Sequence, residues 1–186
     1  MIFIQSRIWR RLPNAKSARN LGVELEVRKS LNFIGQSAIL DNLTLFSNFA
    51  YIYSKVETDN NESRALQGQS PYTINLGLQY NNTENGLNST ILFNQIGRRI
   101  LFVGDGTAGL FPIVWENPRP LLDFQIGKRV LKKGELKFTV SDILNKPFKF
   151  YQDLNNNGKF EGRPLDSPYT NYRQGTTFAL SFSYKL

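Results

Sequence analysis

Apolar residues recur at every second position along most of this chain. The last stretch shows it most plainly. Phe178, Leu180, Phe182, Tyr184 and Leu186 alternate with Thr177, Ala179, Ser181, Ser183 and Lys185. Successive side chains of a strand point to opposite faces, so one face is greasy and the other wettable. The pattern recurs upstream. Val23, Leu25 and Val27 alternate with Glu24, Glu26 and Arg28, and Tyr72, Ile74, Leu76, Leu78 and Tyr80 alternate with Thr73, Asn75, Gly77, Gln79 and Asn81. Leu122, Phe124 and Ile126 take turns with Asp123, Gln125 and Gly127, as Leu136, Phe138 and Val140 do with Lys137, Thr139 and Ser141. Residues 43–56 and 87–103 are aromatic-rich and less strictly patterned. Seven strands are predicted, over 20–28, 42–56, 71–81, 87–103, 120–131, 135–150 and 172–186.

The connections alternate in length. Asn82–Gly86 and Lys132–Gly134 are short and rich in Asn, Gly and Lys, as tight turns are. Residues 57–70, 104–119 and 151–171 are long. Short turns at one end and long loops at the other characterise outer-membrane barrels. The longer 29–41 connection falls at the short-turn end and departs from that pattern.

A soluble β-sandwich also alternates apolar and polar residues. Three features favour an antiparallel up-and-down transmembrane β-barrel instead. The strands repeat without a Greek-key break. The wettable face carries charges and amides (Glu24, Glu26, Arg28, Asn75, Gln79, Asp123, Gln125) that a water-filled or plugged lumen accepts. Tyr51, Tyr53, Tyr72, Tyr80 and Tyr184 suit an interfacial aromatic girdle. Seven strands do not close by themselves, because single-chain bacterial barrels have even strand counts and an open edge in lipid strands backbone groups. Residues 1–186 are therefore expected to be one partial barrel domain. The remaining strands would come from an N-terminal part that the chain lacks. Met1 is expected to be an internal methionine, since the apolar run before Gln5 is too short for a secretory signal.

Composition narrows the functions. The chain has 186 residues, with 14 Phe and 8 Tyr, and no stretch approaches the roughly 18 apolar residues of a membrane helix. Cysteine and histidine are both absent, which removes disulfides, Ser-His and Cys-His catalysis and histidine-bound metals. The net charge is +8, but Lys and Arg are scattered, so no nucleic-acid partner is expected. Glu24 and Glu26 lie about 7 Å apart by strand geometry. A lumen ladder explains them better than glycosidase chemistry, and no enzyme is expected.

Several segments, in order, resemble the C-terminal barrel of TonB-dependent outer-membrane receptors, particularly those of Bacteroidetes. They are Asn20-Leu-Gly22-Val-Glu24-Leu-Glu26, Arg64-Ala-Leu66-Gln67-Gly68-Gln69-Ser70-Pro71-Tyr72, Asn94-Gln-Ile-Gly97-Arg98-Arg99-Ile100, Glu116-Asn-Pro118-Arg119 and Ser141-Asp142-Ile-Leu144-Asn145-Lys-Pro147-Phe148. The resemblance implies a 22-stranded barrel occluded by an N-terminal plug. It implies uptake of a scarce extracellular nutrient, such as a siderophore, cofactor or glycan, across the bacterial outer membrane. Energy would be relayed by TonB, ExbB and ExbD through the plug. The implied partners are outer-membrane lipid, the missing barrel strands and plug, and the nutrient. One departure is Leu186, where such proteins usually end in an aromatic residue. Two other readings remain: a passive porin-like barrel, and a soluble carbohydrate-binding sandwich using loop aromatics such as Phe111 and Trp115.

The candidate ligand or lumen residues are Glu24, Glu26, Arg28, Arg98, Arg99, Glu116, Arg119, Asp123 and Arg129. The alternative is that such charges pair with one another across strands. Asp142 and Asn145 are expected to fix a bulge or turn by bonding local backbone. No cofactor is expected beyond a structural calcium. Asp153-Leu-Asn155-Asn-Asn157-Gly158 begins like a calcium loop, with Asp153, Asn155, Asn157, Lys159 and Glu161 at the alternating positions. Pro164 stands where the bidentate Glu belongs, leaving Glu161 or Asp166 to substitute. An Asn/Gly-rich external turn is the alternative.

Overall fold

The computed structural model describes residues 2–8, 15–58, 63–104, 112–130, 133–154, 159–161, 164 and 166–185. The fold is all-β and antiparallel, as the alternation predicts. The larger sheet is a meander of β1 (Ile2–Ile8), β2 (Ala15–Ser30), β3 (Leu43–Thr58), β5 (Tyr72–Asn82), β6 (Leu87–Ile96), β9 (Pro120–Val130), β10 (Gly134–Ser141) and β13 (Thr177–Tyr184), in that spatial order. The two-residue strand β4 (Ser63–Arg64) pairs with the end of β3. One short helix, α1 (Ala38–Asp41), lies between β2 and β3.

A second sheet holds β7 (Arg99–Phe102), β8 (Val114–Glu116), β11 (Phe148–Asp153) and β12 (Asp166–Tyr172). Its strand order, β7-β8-β11-β12, repeats that of β6-β9-β10-β13. Each strand of the second sheet continues, along the chain, a strand of the first. The four interruptions lie at 97–98, 117–119, 142–147 and 173–176. Together they form a seam. Residues that cannot extend a ladder concentrate there. Pro118 and Pro147 lack an N–H, and Asp142 (φ 55°), Asn145 (φ 42°) and Gly175 (φ 90°) are left-handed. The seam splits the predicted strands 87–103 and 135–150. It also moves the start of the last strand from 172 to Thr177 and puts strands inside the predicted loops 104–119 and 151–171. Alternation alone cannot reveal such a break, because both segments keep the same period.

The eighth strand of the meander, β1, was not predicted. It pairs with β2 in the register Ile4↔Val23. Residues 65–70, within the predicted loop 57–70, fill the space beside β7. The Gly68 N–H donates to the Ile100 carbonyl at 2.9 Å, and Gln67 donates to the Leu101 carbonyl at 2.8 Å.

The registers put the apolar positions in continuous rows. One runs Leu45, Leu78, Ile91, Phe124, Val140, Phe178, and the next Leu43, Tyr80, Ser89, Ile126, Phe138, Leu180. The opposite face carries rows such as Glu26, Asn48, Asn75, Asn94 and Ser30, Thr44, Gln79, Thr90, Gln125, Thr139. Asn94 donates to Asn75 at 2.6 Å within one of them. Gly77 is needed on this face because the Phe46 ring lies over it, where a β-carbon would overlap the ring.

The apolar face is uncovered. Leu21, Val23, Leu25, Val27, Phe49, Leu76, Ile91, Leu136 and Phe138 are exposed, and Phe178 and Leu180 are 67% and 69% exposed. Among the described residues the buried apolar side chains are Val56, Ile100, Val114, Phe150 and Tyr151, all but one of them in the small sheet. Among the described residues no pairing joins β1 to β13, so the larger sheet is open rather than closed into the expected barrel.

Candidate functional site

The seam and the small sheet gather five of the nine candidate lumen residues. Gly97 ends β6, where the Pro71 and Tyr72 side chains pack against it and leave no room for a β-carbon. The turn delivers Arg98 and Arg99 in succession, and their side chains take different partners. The Arg98 guanidinium stacks 4.0 Å from the Trp115 ring centre and donates to the Tyr151 hydroxyl at 2.8 Å. Arg99 pairs with Glu116, directly opposite in register, at 2.7 Å.

Arg119 lies at the next break. Its guanidinium donates to both carboxylate oxygens of Asp142 at 2.9 Å and stacks 3.9 Å from the Phe148 ring centre. Both ends of this pair are buried, with side chains 7% and 11% exposed. Asp123 completes the knot: its carboxylate accepts the Asp142 N–H at 2.8 Å. Thr176 donates to the Asp142 carbonyl, and the Ile143 N–H donates to the Leu122 carbonyl. Asp142 therefore ties β9, β10 and the approach to β13 together from a left-handed backbone. A turn does form here, but not by the local backbone bonding that the sequence predicts: the Asp142 carboxylate is taken by Arg119, and the Asn145 side-chain oxygen is buried with no partner among the described residues. Asn145 is left-handed too, and its N–H donates to the Asp142 carbonyl.

An aromatic stack sits against this knot. Phe148 and Tyr172 face each other across β11 and β12 with ring centres 4.9 Å apart, and Phe150 lies beside both. Tyr151 is fully buried and contacts Phe160. Burial raises its phenol above the ordinary tyrosine value, against the opposing pull of Arg98. The Trp115 indole N–H is buried and finds no acceptor among the described residues.

The other candidates lie elsewhere. Glu24, Glu26 and Arg28 share the polar face of β2. Glu24 accepts from the Asn48 amide, and Arg28 reaches Gln79 at 3.4 Å. Arg129 is at the tight-turn end, beside a polar basin of about 640 Å³ whose lining includes Asn88, Lys133, Glu135 and Lys185. Glu135 accepts from Asn88 there, at 3.2 Å.

Of the calcium-loop positions, Asn155 and Asn157 lie outside the described residues, as do Phe111 and Leu186. Asp153 and Asp166 are buried and stand opposite each other at the end of β11 and β12. Asp166 accepts the Glu161 N–H. Lys159 and Glu161 are exposed. No cluster of three or more acidic, His or Cys side chains suited to a metal occurs among the described residues.

Sequence reasoning missed Tyr151 as a partner of Arg98 and Phe148 as the ring beneath Arg119. A usable signal existed: Gly, Pro and Asx residues interrupt four successive strands beside the arginines. No family model, curated protein or solved structure matches the chain. The site is therefore read from its own geometry. It is a set of cation–aromatic and ion-pair contacts that locks one sheet onto the end of another.

Proposed function

We propose that the chain is a section of the wall of a bacterial outer-membrane β-barrel, of the plugged, TonB-dependent receptor kind, that takes up a scarce nutrient. The observation that carries this reading is the uncovered apolar face, continuous in register from β2 to β13 and backed by a face of amides and charges. In water a contiguous apolar face of this kind would mark an interaction or aggregation surface. Against lipid it is the ordinary outer surface of a barrel. Strand parity agrees. Eight meandering strands leave β1 and β13 antiparallel, so an even number of further strands closes the barrel without a parallel pair.

In this reading lipid covers the apolar face, and the missing strands pair with the edges of β1 and β13. The plug faces the polar rows and carries the coupling to TonB, ExbB and ExbD. The chain ends in the periplasm, which puts the small sheet outside, where a ligand arrives. The order of the motifs from Gly22-Val-Glu24-Leu-Glu26 to Asp142-Ile-Leu144-Asn145 supports the receptor type over a passive pore.

The test is export of the chain in a Gram-negative host, followed by fractionation. Recovery in the outer membrane, released by detergent but not by salt or alkaline carbonate, is the expected result. A monomer that stays soluble without detergent would overturn the reading. The receptor type is tested by the reading frame upstream, which should encode further alternating strands and a plug. Steady channel conductance in a planar bilayer without energy input, and no plug upstream, would favour a passive barrel.

A further inference from the structure

The connection between β2 and β3 lies at the tight-turn end, and the wall reading leaves it unused. It is longer than its neighbours and is folded on itself. The Leu31 N–H donates to the Leu43 carbonyl at 2.9 Å, and that of Ile34 to the Leu31 carbonyl at 3.1 Å. The Ser37 hydroxyl accepts the Ile39 N–H at the start of α1, and the Asn42 amide donates to the Ala38 carbonyl at its end. The Asn42 carbonyl is bonded in turn by the Asn81 N–H of β5. Polar groups thus hold the backbone without help from the large apolar side chains. Those side chains project outward: Phe33 is 65% exposed, Ile34 62% and Ile39 63%.

Lys29 shows on which side of the hairpin Phe33 lies. It occupies the apolar-face row with Leu45 and Leu78, and its ammonium lies 5.3 Å from the Phe33 ring centre. Phe33 therefore extends the greasy face past the end of its strands, with Ile34 and Ile39 exposed in the same connection. The Thr83-Glu84-Asn85 turn at the same end carries no large apolar residue. A cation at the rim of an apolar surface, with aromatic and branched side chains just beyond it, is the arrangement of a segment lying in the headgroup layer of a membrane.

We propose that this connection is a lipid-binding foot. Phe33, Ile34 and Ile39 enter the boundary between phospholipid headgroups and acyl chains, and Lys29 meets the lipid phosphate. The proposal rests on the reading of the apolar face as lipid-facing, and its test separates the two. The chain has no cysteine, so single-cysteine variants can be spin-labelled cleanly. Phe33→Cys, Leu180→Cys and Glu84→Cys, each in the full chain, are reconstituted into phosphatidylethanolamine–phosphatidylglycerol vesicles. Collision rates with oxygen, which partitions into lipid, and with a water-soluble nickel chelate are then compared.

The expected result is an oxygen-to-nickel ratio at position 33 several-fold above that at 84 and below that at 180. If 33 matches 84 while 180 reads lipid, the foot is overturned and the wall reading stands. A label at 33 shielded from both reagents means protein covers the tip, and this also overturns the foot. If 180 itself reads water, the wall reading falls and the foot falls with it.

Discussion

Asp142 concentrates more of the architecture than any other residue. Its left-handed backbone ends β10, its N–H is held by Asp123, and its carboxylate neutralises the buried Arg119. Removing one partner of a buried pair costs about 3–5 kcal/mol, because the other charge stays buried and uncompensated. Asp142→Gly keeps the favoured backbone and loses only the carboxylate. It should lower stability by that amount less the gain of up to about 1 kcal/mol from relieving the positive φ, a net loss of about 2–4 kcal/mol read from urea denaturation in detergent micelles. Asn145→Gly is the control. The same positive φ is relieved there, and no charge is lost, so stability should stay level or rise by up to about 1 kcal/mol. Equal losses in both variants would show that the backbone, and not the ion pair, sets the cost. Residue chemistry of this kind was half legible beforehand. An Asp and an Asn flanking a Pro-terminated strand announce a turn, but nothing in the spacing says that the Asp reaches back 23 positions to Arg119.

At the scale of elements, period two was enough to find every long strand of the larger sheet except β1. Only β1, whose partner register lies in residues 19–25, escaped, because Ile2, Ile4 and Ile8 are interrupted by Ser6 and read as a short apolar start. The same periodicity makes a sharp prediction for β13, whose two faces differ in chemistry but not in exposure. Leu180 lies in the apolar row and Ser181 in the polar one. Arginine on a lipid-facing strand near the bilayer midplane costs about 2–4 kcal/mol, whereas a lumen position accepts it. Leu180→Arg should therefore sharply reduce the fraction of chain that inserts into vesicles, while Ser181→Arg leaves it near wild type. Insertion is scored by protease protection. Equal behaviour of the two variants would mean that the faces do not meet different solvents.

At the scale of the whole molecule, the larger sheet ends in two edges, β1 and β13, that take no further partner among the described residues. Backbone amides in β5 and β6 have neighbours on both sides, whereas β1 and β13 each have one. Hydrogen exchange of the chain by itself in micelles should show protection falling from the centre toward both edges, with the outward amides of β13 exchanging fastest. Edge strands as protected as the centre would mean that the edges have found partners, in another copy or in each other. This openness was legible only in part. Seven predicted strands implied an incomplete object, but the count depended on β1. The apolar row from Leu45 to Phe178 could be drawn only once the registers were known.

The seam has a consequence for how such a protein can change. Four strands are interrupted at one level, and below it the pairing of β6, β9, β10 and β13 is complete in itself. Residues can therefore be inserted, deleted or exchanged above that level without sliding the strands beneath by a single position. A grafted module needs only to end on residues that keep the Arg119–Asp142 connection. The lower strands then serve as a fixed socket on which different modules can be mounted.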